Sequence, residues 1–146
     1  MTTINPYLTF EGNCEEAFNF YKNVFKKEFQ YIGKFGEMPT AEGQTPLSPE
    51  QKDKIMHVSL PIHGDSILMG SDSIDGNCGN YIKGTNITLS INSTDKEEAD
   101  RLYDVLSVNG IQSMKMTQTF WGAYFGMLTD QFGINWMINV DNNTPE

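Results

Sequence analysis

The sequence is short of positive charge. Its 146 residues include 10 Lys and Arg against 19 Asp and Glu, which gives a formal net charge of −9 at pH 7. Nucleic acids and anionic membrane surfaces are bound through clustered Lys and Arg, so this deficit argues against both kinds of partner. The acidic excess is most simply a property that keeps the protein in solution.

Long hydrophobic runs and targeting segments are missing as well. The chain has no stretch of about 18 apolar residues to cross a membrane, and its N-terminus MTTINPYLTF lacks the basic and apolar regions of a signal peptide. We therefore expect a cytoplasmic protein. With 38% hydrophobic residues, a chain of this length can bury a sufficient core without a metal or a disulfide.

Cysteine and histidine are scarce. Cys14 and Cys78 are far apart in the sequence, so we expect free thiols in a reducing compartment. Cys14 lies at a predicted helix start, which can activate a thiol, but the pattern places no histidine beside it and we expect a structural role. The two histidines, His57 and His63, are too few for a site of several imidazoles.

Motifs for nucleotides and for acyl transfer are also absent. The sequence has no Gly-rich loop of the Walker or dinucleotide type and no Gly-x-Ser-x-Gly elbow. Nothing in it resembles a site for a nucleotide-borne methyl donor. We therefore expect no cofactor.

The chain does contain an internal repeat. The motif EEA occurs at 15–17 and again at 97–99, each time within the apolar spacing of a helix. Asn13 and Thr94 are the predicted helix caps, Thr94 through a Thr-x-x-Glu capping box. Asn109-Gly110 predicts a left-handed stop for the second helix.

Alternating or apolar segments predict eight strands around these helices. They are 7–10, 29–35, 55–62 and 66–71 in the first half and 86–91, 112–118, 123–129 and 134–140 in the second. Each half is thus a strand, a helix and three strands, which predicts an α+β protein with its helices on one face of a largely antiparallel sheet.

The same patterns give the domain organisation. We predict a single domain over 1–146, with one module at about 1–71, a linker at 72–85, a second module at about 86–140 and a tail at 141–146. Within the long loop from 36 to 54, the sequence SPEQ at 48–51 predicts a short capped helix.

Five segments carry a family resemblance: YLTFEGNCEEAFNFY from Tyr7, FGEMP at 35–39, KIMHVSLPI at 54–62, LMGSD at 68–72 and FWGAYFGMLTDQFGINW at 120–136. They resemble the vicinal oxygen chelate superfamily of glyoxalase, bleomycin-resistance and dioxygenase proteins, and most closely its PhnB-like, demethylubiquinone-methyltransferase-like branch. The resemblance implies two βαβββ modules that form an open, curled, mainly antiparallel sheet around a cavity, and it implies a homodimer.

The superfamily's metal ligands are His, Glu or Gln on the first and last strands of each module. By the resemblance, these positions fall on Pro6 or Tyr7, on Met69, on Asn86 and on Met137. Proline has no ligand atom, thioethers suit soft copper, and the usual divalent ions need carboxylate, imidazole or thiolate. We therefore expect no metal site, and neither glyoxalase I nor extradiol dioxygenase activity.

His57 is the first catalytic candidate. In IMHVSLPI the side chains at 56, 58, 60 and 62 should face the helices, so that Ile55, His57 and Ser59 face the cavity. An imidazole accepts or donates a proton near neutral pH. The alternative is a histidine that only fills a polar wall, and His63 is predicted to be a solvated hairpin residue.

Glu37 is the second catalytic candidate. It lies in FGEMP at the edge of the long loop, where it is predicted to act as a base or to orient His57. The alternative is an exposed loop carboxylate.

The same alternation predicts the side chains that complete the cavity wall and bind a small-molecule ligand. They are Tyr7, Thr9, Ser59, Asn86, Thr88 and Trp121, and the resemblance adds Met69 and Met137 at its ligand positions. Two functions stay open: a metal-independent enzyme that acts on a small oxygenated molecule, and a non-catalytic protein that binds or sequesters an antibiotic or an aromatic metabolite. A third alternative is a scaffold whose cavity is filled by side chains.

The last of the five segments predicts a turn before the final strand. Asp130 should cap its own backbone, and Gly133 suits the last turn position. Trp136 and Ile138 should face the core, and Met137 should face the other way.

Overall fold

The computed structural model describes residues 2–39, 43, 46–74 and 81–141. Its elements are β1 (Tyr7–Phe10), α1 (Cys14–Phe25), β2 (Tyr31–Lys34), a 3₁₀ turn (Phe35–Glu37), α2 (Pro49–Lys52), β3 (Ile55–His63), β4 (Ser66–Asp72), β5 (Leu89–Ser93), α3 (Lys96–Leu106), β6 (Ile111–Gln118), β7 (Ala123–Thr129) and β8 (Asn135–Asp141). They form two compact units, Met1–Ile82 and Lys83–Glu146. Cys78 and residues 142–146 of the predicted tail lie outside the described residues.

The first unit contains one four-stranded sheet in the order β1-β4-β3-β2. β1 runs parallel to β4, while the other two pairs are antiparallel. A parallel pair needs a long connection, and the chain from α1 through β3 supplies it. α1 packs on one face of this sheet through Ala17, Phe18, Tyr21 and Val24, which are fully buried.

The second unit repeats this topology, with the strand order β5-β8-β7-β6 and β5 parallel to β8. α3 contacts β5, β7 and β8. Tyr103 of α3 is buried, and its hydroxyl lies 2.8 Å from the carbonyl oxygen of Met114 and 3.1 Å from that of Met127. The predicted α+β class and the two βαβββ modules are confirmed.

The carboxylate of Asp72 ties three elements of the first unit together. Its Oδ1 accepts hydrogen bonds from the backbone N–H groups of Gly12 (3.0 Å) and Cys14 (2.9 Å) at the start of α1, and its Oδ2 accepts one from Ile55 (2.9 Å) at the start of β3. The predicted cap Asn13 makes no side-chain capping bond. The prediction was wrong because the cap comes from the end of β4, which is distant in sequence.

Asp130 has a similar role in the second unit, where the predicted local cap is confirmed. Its Oδ1 accepts from the backbone N–H groups of Phe132 (2.9 Å) and Ile134 (3.0 Å), and its Oδ2 accepts from the Trp136 indole at 2.8 Å. Gly133 has a φ of +86°, which a left-handed turn position requires. Trp136 and Ile138 are buried, as predicted.

Two corrections concern the region that joins the second unit's first strand to its helix. β5 spans Leu89–Ser93, not 86–91, so Asn86 and Thr88 precede the strand and are exposed. α3 is capped by Asp95, whose side chain accepts from the Glu97 N–H at 3.0 Å, and not by Thr94. Because β5 extends to Ser93, two residues beyond the predicted end, the helix begins later and the cap position falls on Asp95, one residue after Thr94.

Other local predictions are confirmed or shortened. Ser48 and Gln51 form the predicted capping box of α2, and Asn109 adopts the left-handed conformation with a φ of +58°. The strand β2 is shorter than the predicted 29–35, because Phe35 begins a 3₁₀ turn. Among the strands of the described residues, β6 pairs only with β7, and this pairing has two register shifts. No helix in the described part of the chain has the length and apolar character needed to span a bilayer.

We expect Asp72→Asn to lower the free energy of unfolding by about 2–4 kcal/mol, because an amide nitrogen would face a buried N–H donor where a carboxylate oxygen now accepts. Urea unfolding followed by circular dichroism measures this change. Asp65→Asn, in the exposed turn between β3 and β4, is the matched control and should change stability by less than about 0.5 kcal/mol. Equal effects of the two substitutions would contradict the role given to Asp72.

Candidate functional site

The candidate site lies on the face of the first sheet that points away from α1. A Cβ atom placed on Gly70 would meet the Phe18 ring of α1 at 2.6 Å, so Gly70 and its partners Leu8 and Val58 face the helix. Residues one step along each strand face the other way. One row across the four strands of that face consists of Tyr7, Met69, Ser59 and Tyr31.

His57 lies in the next row, between two tyrosine rings. The Tyr7 hydroxyl is 3.1 Å from His57 Nδ1, and the two ring centroids are 5.6 Å apart at an interplanar angle of 26°. The Tyr31 ring is 6.0 Å away on the other side, tilted by 32°. Both tyrosines are 47% exposed. The face therefore presents a histidine, held by one hydrogen bond, between two accessible aromatic rings.

Gly33 allows Tyr31 to lie against the sheet. Gly33 is the cross-strand partner of His57, and a Cβ atom in its place would lie 2.8 Å from Tyr31 Cζ. Real Cβ atoms do not approach other atoms so closely, so any larger residue here would push the Tyr31 ring away from the sheet. Neither Tyr31 nor Gly33 was predicted from the sequence. Alternation within 29–35 places both on one face, but only the pairing with β3 shows that this is the face of His57.

Among the other predicted site residues of this unit, Thr9 pairs with Ser71 on the same face and is exposed. Ile55 does not join them, and that prediction was wrong. The pairing steps from Gly33–His57 to Lys34–Ile55, so β3 has an extra residue there, and Ile55 is 1% exposed. A β-bulge of this kind changes the face to which the next side chain points.

Glu37 makes a local hydrogen bond. Its Oε2 accepts from the Lys34 N–H at 3.1 Å, which closes the 3₁₀ turn, and the residue is exposed. The hydrogen-bond partner of His57 within the described chain is Tyr7. The predicted pairing of Glu37 with His57 is therefore not formed in this structure.

The corresponding face of the second sheet has a different composition. Tyr124 binds Asp100 of α3 through its hydroxyl, so the side chains next to it in sequence on β7 point away from the helix. One row of that face consists of Ser90, Met137, Met127 and Met114. Met137 thus faces away from the helix, as predicted. With β5 displaced, this face carries Ser90 and Asn92 in place of the predicted Asn86 and Thr88.

Trp121 belongs to the turn between β6 and β7. It is more than half exposed, and its ring centroid is 4.9 Å from that of Phe120 and 6.3 Å from that of Phe125. Its predicted role in ligand binding stays a prediction, as do the small-molecule ligand and the homodimer.

Comparison with known proteins decides the family. Residues 2–139 match the family model described as 3-demethylubiquinone-9 3-methyltransferase. The chain belongs to this PhnB-like family. It is 36% identical over 147 residues to Protein YjdN of Escherichia coli (strain K12), with 97% of each chain covered.

Solved structures agree with this assignment. Protein PA1353 from Pseudomonas aeruginosa superposes with a TM-score of 0.79 and 38% identity, over 97% of this chain and 98% of that one. A putative 3-demethylubiquinone-9 3-methyltransferase, PhnB protein, from Bacillus cereus superposes with a TM-score of 0.72 and 24% identity, over 95% and 99% of the two chains. The predicted PhnB-like family is thereby confirmed. A glyoxalase/bleomycin resistance protein/dioxygenase family enzyme from Burkholderia phytofirmans PsJN shares the fold, with a TM-score of 0.60 and 15% identity over 93% and 95% of the two chains.

The residues at the superfamily's metal-ligand positions do not fit a divalent ion. By the resemblance these positions fall on Pro6 or Tyr7, Met69, Asn86 and Met137. In the structure Tyr7 is paired with Met69, whereas Asn86 precedes β5 and Ser90 is the residue paired with Met137. A phenol, a hydroxyl and two thioethers are poor donors for zinc, manganese or magnesium. The described residues contain no group of three His, Cys, Asp or Glu side chains that could hold a metal ion elsewhere.

A separate surface cleft of about 260 Å³ lies beside the start of α2, and residues such as Glu11, Ser48 and Ser73 line it. Lys54 borders this cleft, and its ammonium group donates to the Gly12 carbonyl at 3.0 Å. None of the predicted site residues lines the cleft.

Cys14 is fully buried at the start of α1. Burial, together with the nearby charges of Asp72 and Glu15, raises the pKa of the Cys14 thiol well above its usual range. The helix start therefore does not activate this thiol. The complete burial of Cys14 agrees with its predicted structural role.

We expect Cys14 to resist thiol reagents while the protein is folded, because the reactive thiolate is scarce below the raised pKa. In a Cys78→Ser variant, a disulfide reagent such as Ellman's should release no colour at pH 8 or 9 until denaturant is added, and then about one equivalent per chain. Reaction of the native variant as fast as a free cysteine would contradict the assignment.

We expect Gly33→Ala to move the Tyr31 ring away from His57 with little loss of stability, since the exposed ring can turn into solvent. The His57 carbon-bound protons should lose the ring-current shift that Tyr31 produces, which NMR detects. Tyr31→Ala should produce the same shift, and the double variant should add nothing further. A Gly33→Ala spectrum identical to the wild type would show that the ring does not depend on Gly33.

Proposed function

We propose that this PhnB-like protein binds a small oxygenated molecule on the His57 face of its first sheet and catalyses a proton transfer without a metal. The observation that carries the proposal is the hydrogen bond between the Tyr7 hydroxyl and His57 Nδ1. It holds the imidazole between two half-exposed rings on a face that none of the described helices of the first unit covers.

The Tyr7–His57 pair can support proton transfer in either direction. When the Tyr7 hydroxyl donates to Nδ1, the neutral ring carries its proton on Nε2, which can then donate to an oxygen of the bound molecule. When Nδ1 donates to Tyr7, Nε2 has a free lone pair and can accept a proton. In both states Tyr7 fixes the orientation of the ring, as the third group of a catalytic triad does.

Glu37 has no part in the proposed proton transfer, because its carboxylate is engaged with the Lys34 backbone. A metal has no part either, because the residues at the ligand positions offer thioethers and hydroxyls. Methyl transfer, which the family description names, is not proposed for this chain, since the sequence has no motif for a nucleotide-borne methyl donor.

A second candidate function is binding without catalysis. The half-exposed rings of Tyr7 and Tyr31 favour it, because aromatic side chains supply large contact areas for flat, weakly polar molecules. In this case His57 is a hydrogen-bonding partner of the ligand, and the protein sequesters the molecule instead of converting it.

A ligand screen followed by exchange measurements separates the two candidates. Small oxygenated and aromatic compounds are screened by ligand-observed NMR, and each hit is incubated with the protein in D₂O. We expect enzyme-dependent deuterium incorporation at a carbon next to an oxygenated centre. His57→Gln should slow it by about 100-fold or more, because a positioned acid or base contributes about 10²–10⁴-fold.

The matched control is His63→Gln, which removes the other histidine, exposed at the end of β3, and should leave the rate unchanged. Tyr7→Phe should lower the rate with little effect on binding. Exchange that is as fast in His57→Gln as in the wild type would contradict the catalytic proposal. Binding that depends on His57 without any exchange would favour sequestration.

A further inference from the structure

Three methionines lie side by side on the second sheet. Met114 of β6, Met127 of β7 and Met137 of β8 are directly paired across neighbouring antiparallel strands. We call this set the methionine row. Directly paired residues have Cβ atoms about 4.5–5.5 Å apart on the same face, so the thioether of Met127 is within reach of the side chains on either side.

The row lies on the face that points away from α3, and its side chains are accessible to solvent. Met114 is 45% exposed, and Met127 and Met137 are half-buried. The unbranched methionine side chain has three rotatable bonds, so its sulfur can move several ångströms without a change in the backbone. The three sulfurs can therefore turn towards a common point above Met127.

The residues paired beside the row on this face include no acidic side chain and no histidine, and the charged residue next to Met114 in sequence is the cationic Lys115. On one side lies the row of Asn92, Asn139, Phe125 and Thr117, and on the other lie Asn135, Thr129 and Ile111. The fourth member of the methionine row itself is Ser90. With no carboxylate or imidazole in these positions, hard and borderline divalent ions find no suitable ligand, whereas thioether sulfur selects soft copper.

We propose that the methionine row binds one Cu(I) ion through the thioether sulfurs of Met127 and its two neighbours, Met114 and Met137. By the resemblance, Met137 falls at a metal-ligand position of the superfamily, where a thioether would take a different class of metal from the His, Glu or Gln of its metal-binding members. The site lies within the second unit and does not depend on His57 or on the function proposed above.

The test is an anaerobic titration of the Cys78→Ser protein with Cu(I), in competition with the chromophoric chelator bicinchoninate. The Cys78 substitution removes a thiol that would compete for the ion, and Cys14 is fully buried, which raises the pKa of its thiol. We expect one Cu(I) per chain. The methyl resonances of ¹³C-labelled Met114, Met127 and Met137 should shift on binding, while those of the other methionines stay in place.

Met127→Leu, which keeps the volume and removes the sulfur, should weaken Cu(I) binding about tenfold or more. Met38→Leu, an exposed methionine of the first unit, is the matched control and should leave binding unchanged. Met114→Leu provides a second variant if Met127→Leu does not fold. Cu(II) and Zn²⁺ should not shift the three methyl resonances.

Three results would overturn the proposal. One is the absence of saturable Cu(I) binding by the Cys78→Ser protein. Another is binding that persists unchanged in the folded Met127→Leu and Met114→Leu variants. The third is a shift of the same methyl resonances by Zn²⁺, which would show that the row does not select soft ions.

Discussion

The first unit depends on the three hydrogen bonds that Asp72 accepts. A helix start leaves backbone N–H groups without partners, and the N–H of the buried Ile55 at the start of β3 also needs an acceptor. The Asp72 carboxylate accepts hydrogen bonds from both sets of N–H groups, because it lies where α1 and β3 begin. The position of α1 over the sheet, and with it the division into a helix-covered face and an accessible face, follows from this contact.

That division determines where chemistry can occur in a PhnB-like chain. The helix-covered faces hold the large apolar side chains, whereas the opposite faces hold residues that the fold itself does not require to be apolar. On the first sheet these are tyrosines, a histidine and small polar residues. On the second sheet they are mainly methionines and amides. The two modules share a topology and differ in the chemistry of their accessible faces.

The sequence predicted the elements better than the contacts between them. Periodicity located both long helices and all eight strands, because each signal lies within a short segment. It missed the Asp72 cap and placed β5 too early, since a cap from a distant strand and the end of a weakly apolar strand leave no local pattern. His57 was placed on the correct face by alternation alone. Ile55 was not, because a bulge in β3 interrupts the alternation, and Tyr31 and Gly33 could be assigned only once the pairing of β2 with β3 was known.

β6 stands at the end of the strand order of the second sheet. An outermost strand offers a row of backbone groups to any other strand that approaches, and regular spacing along that row is what makes such growth cooperative. The two register shifts of β6 break the spacing. The backbone N–H and C=O groups of an extended segment added along its outer side would not align with those of β6. Burial of the charged Lys115 side chain by such a segment would also cost desolvation energy. The irregular pairing of β6 with β7 therefore disfavours the addition of another strand at this edge.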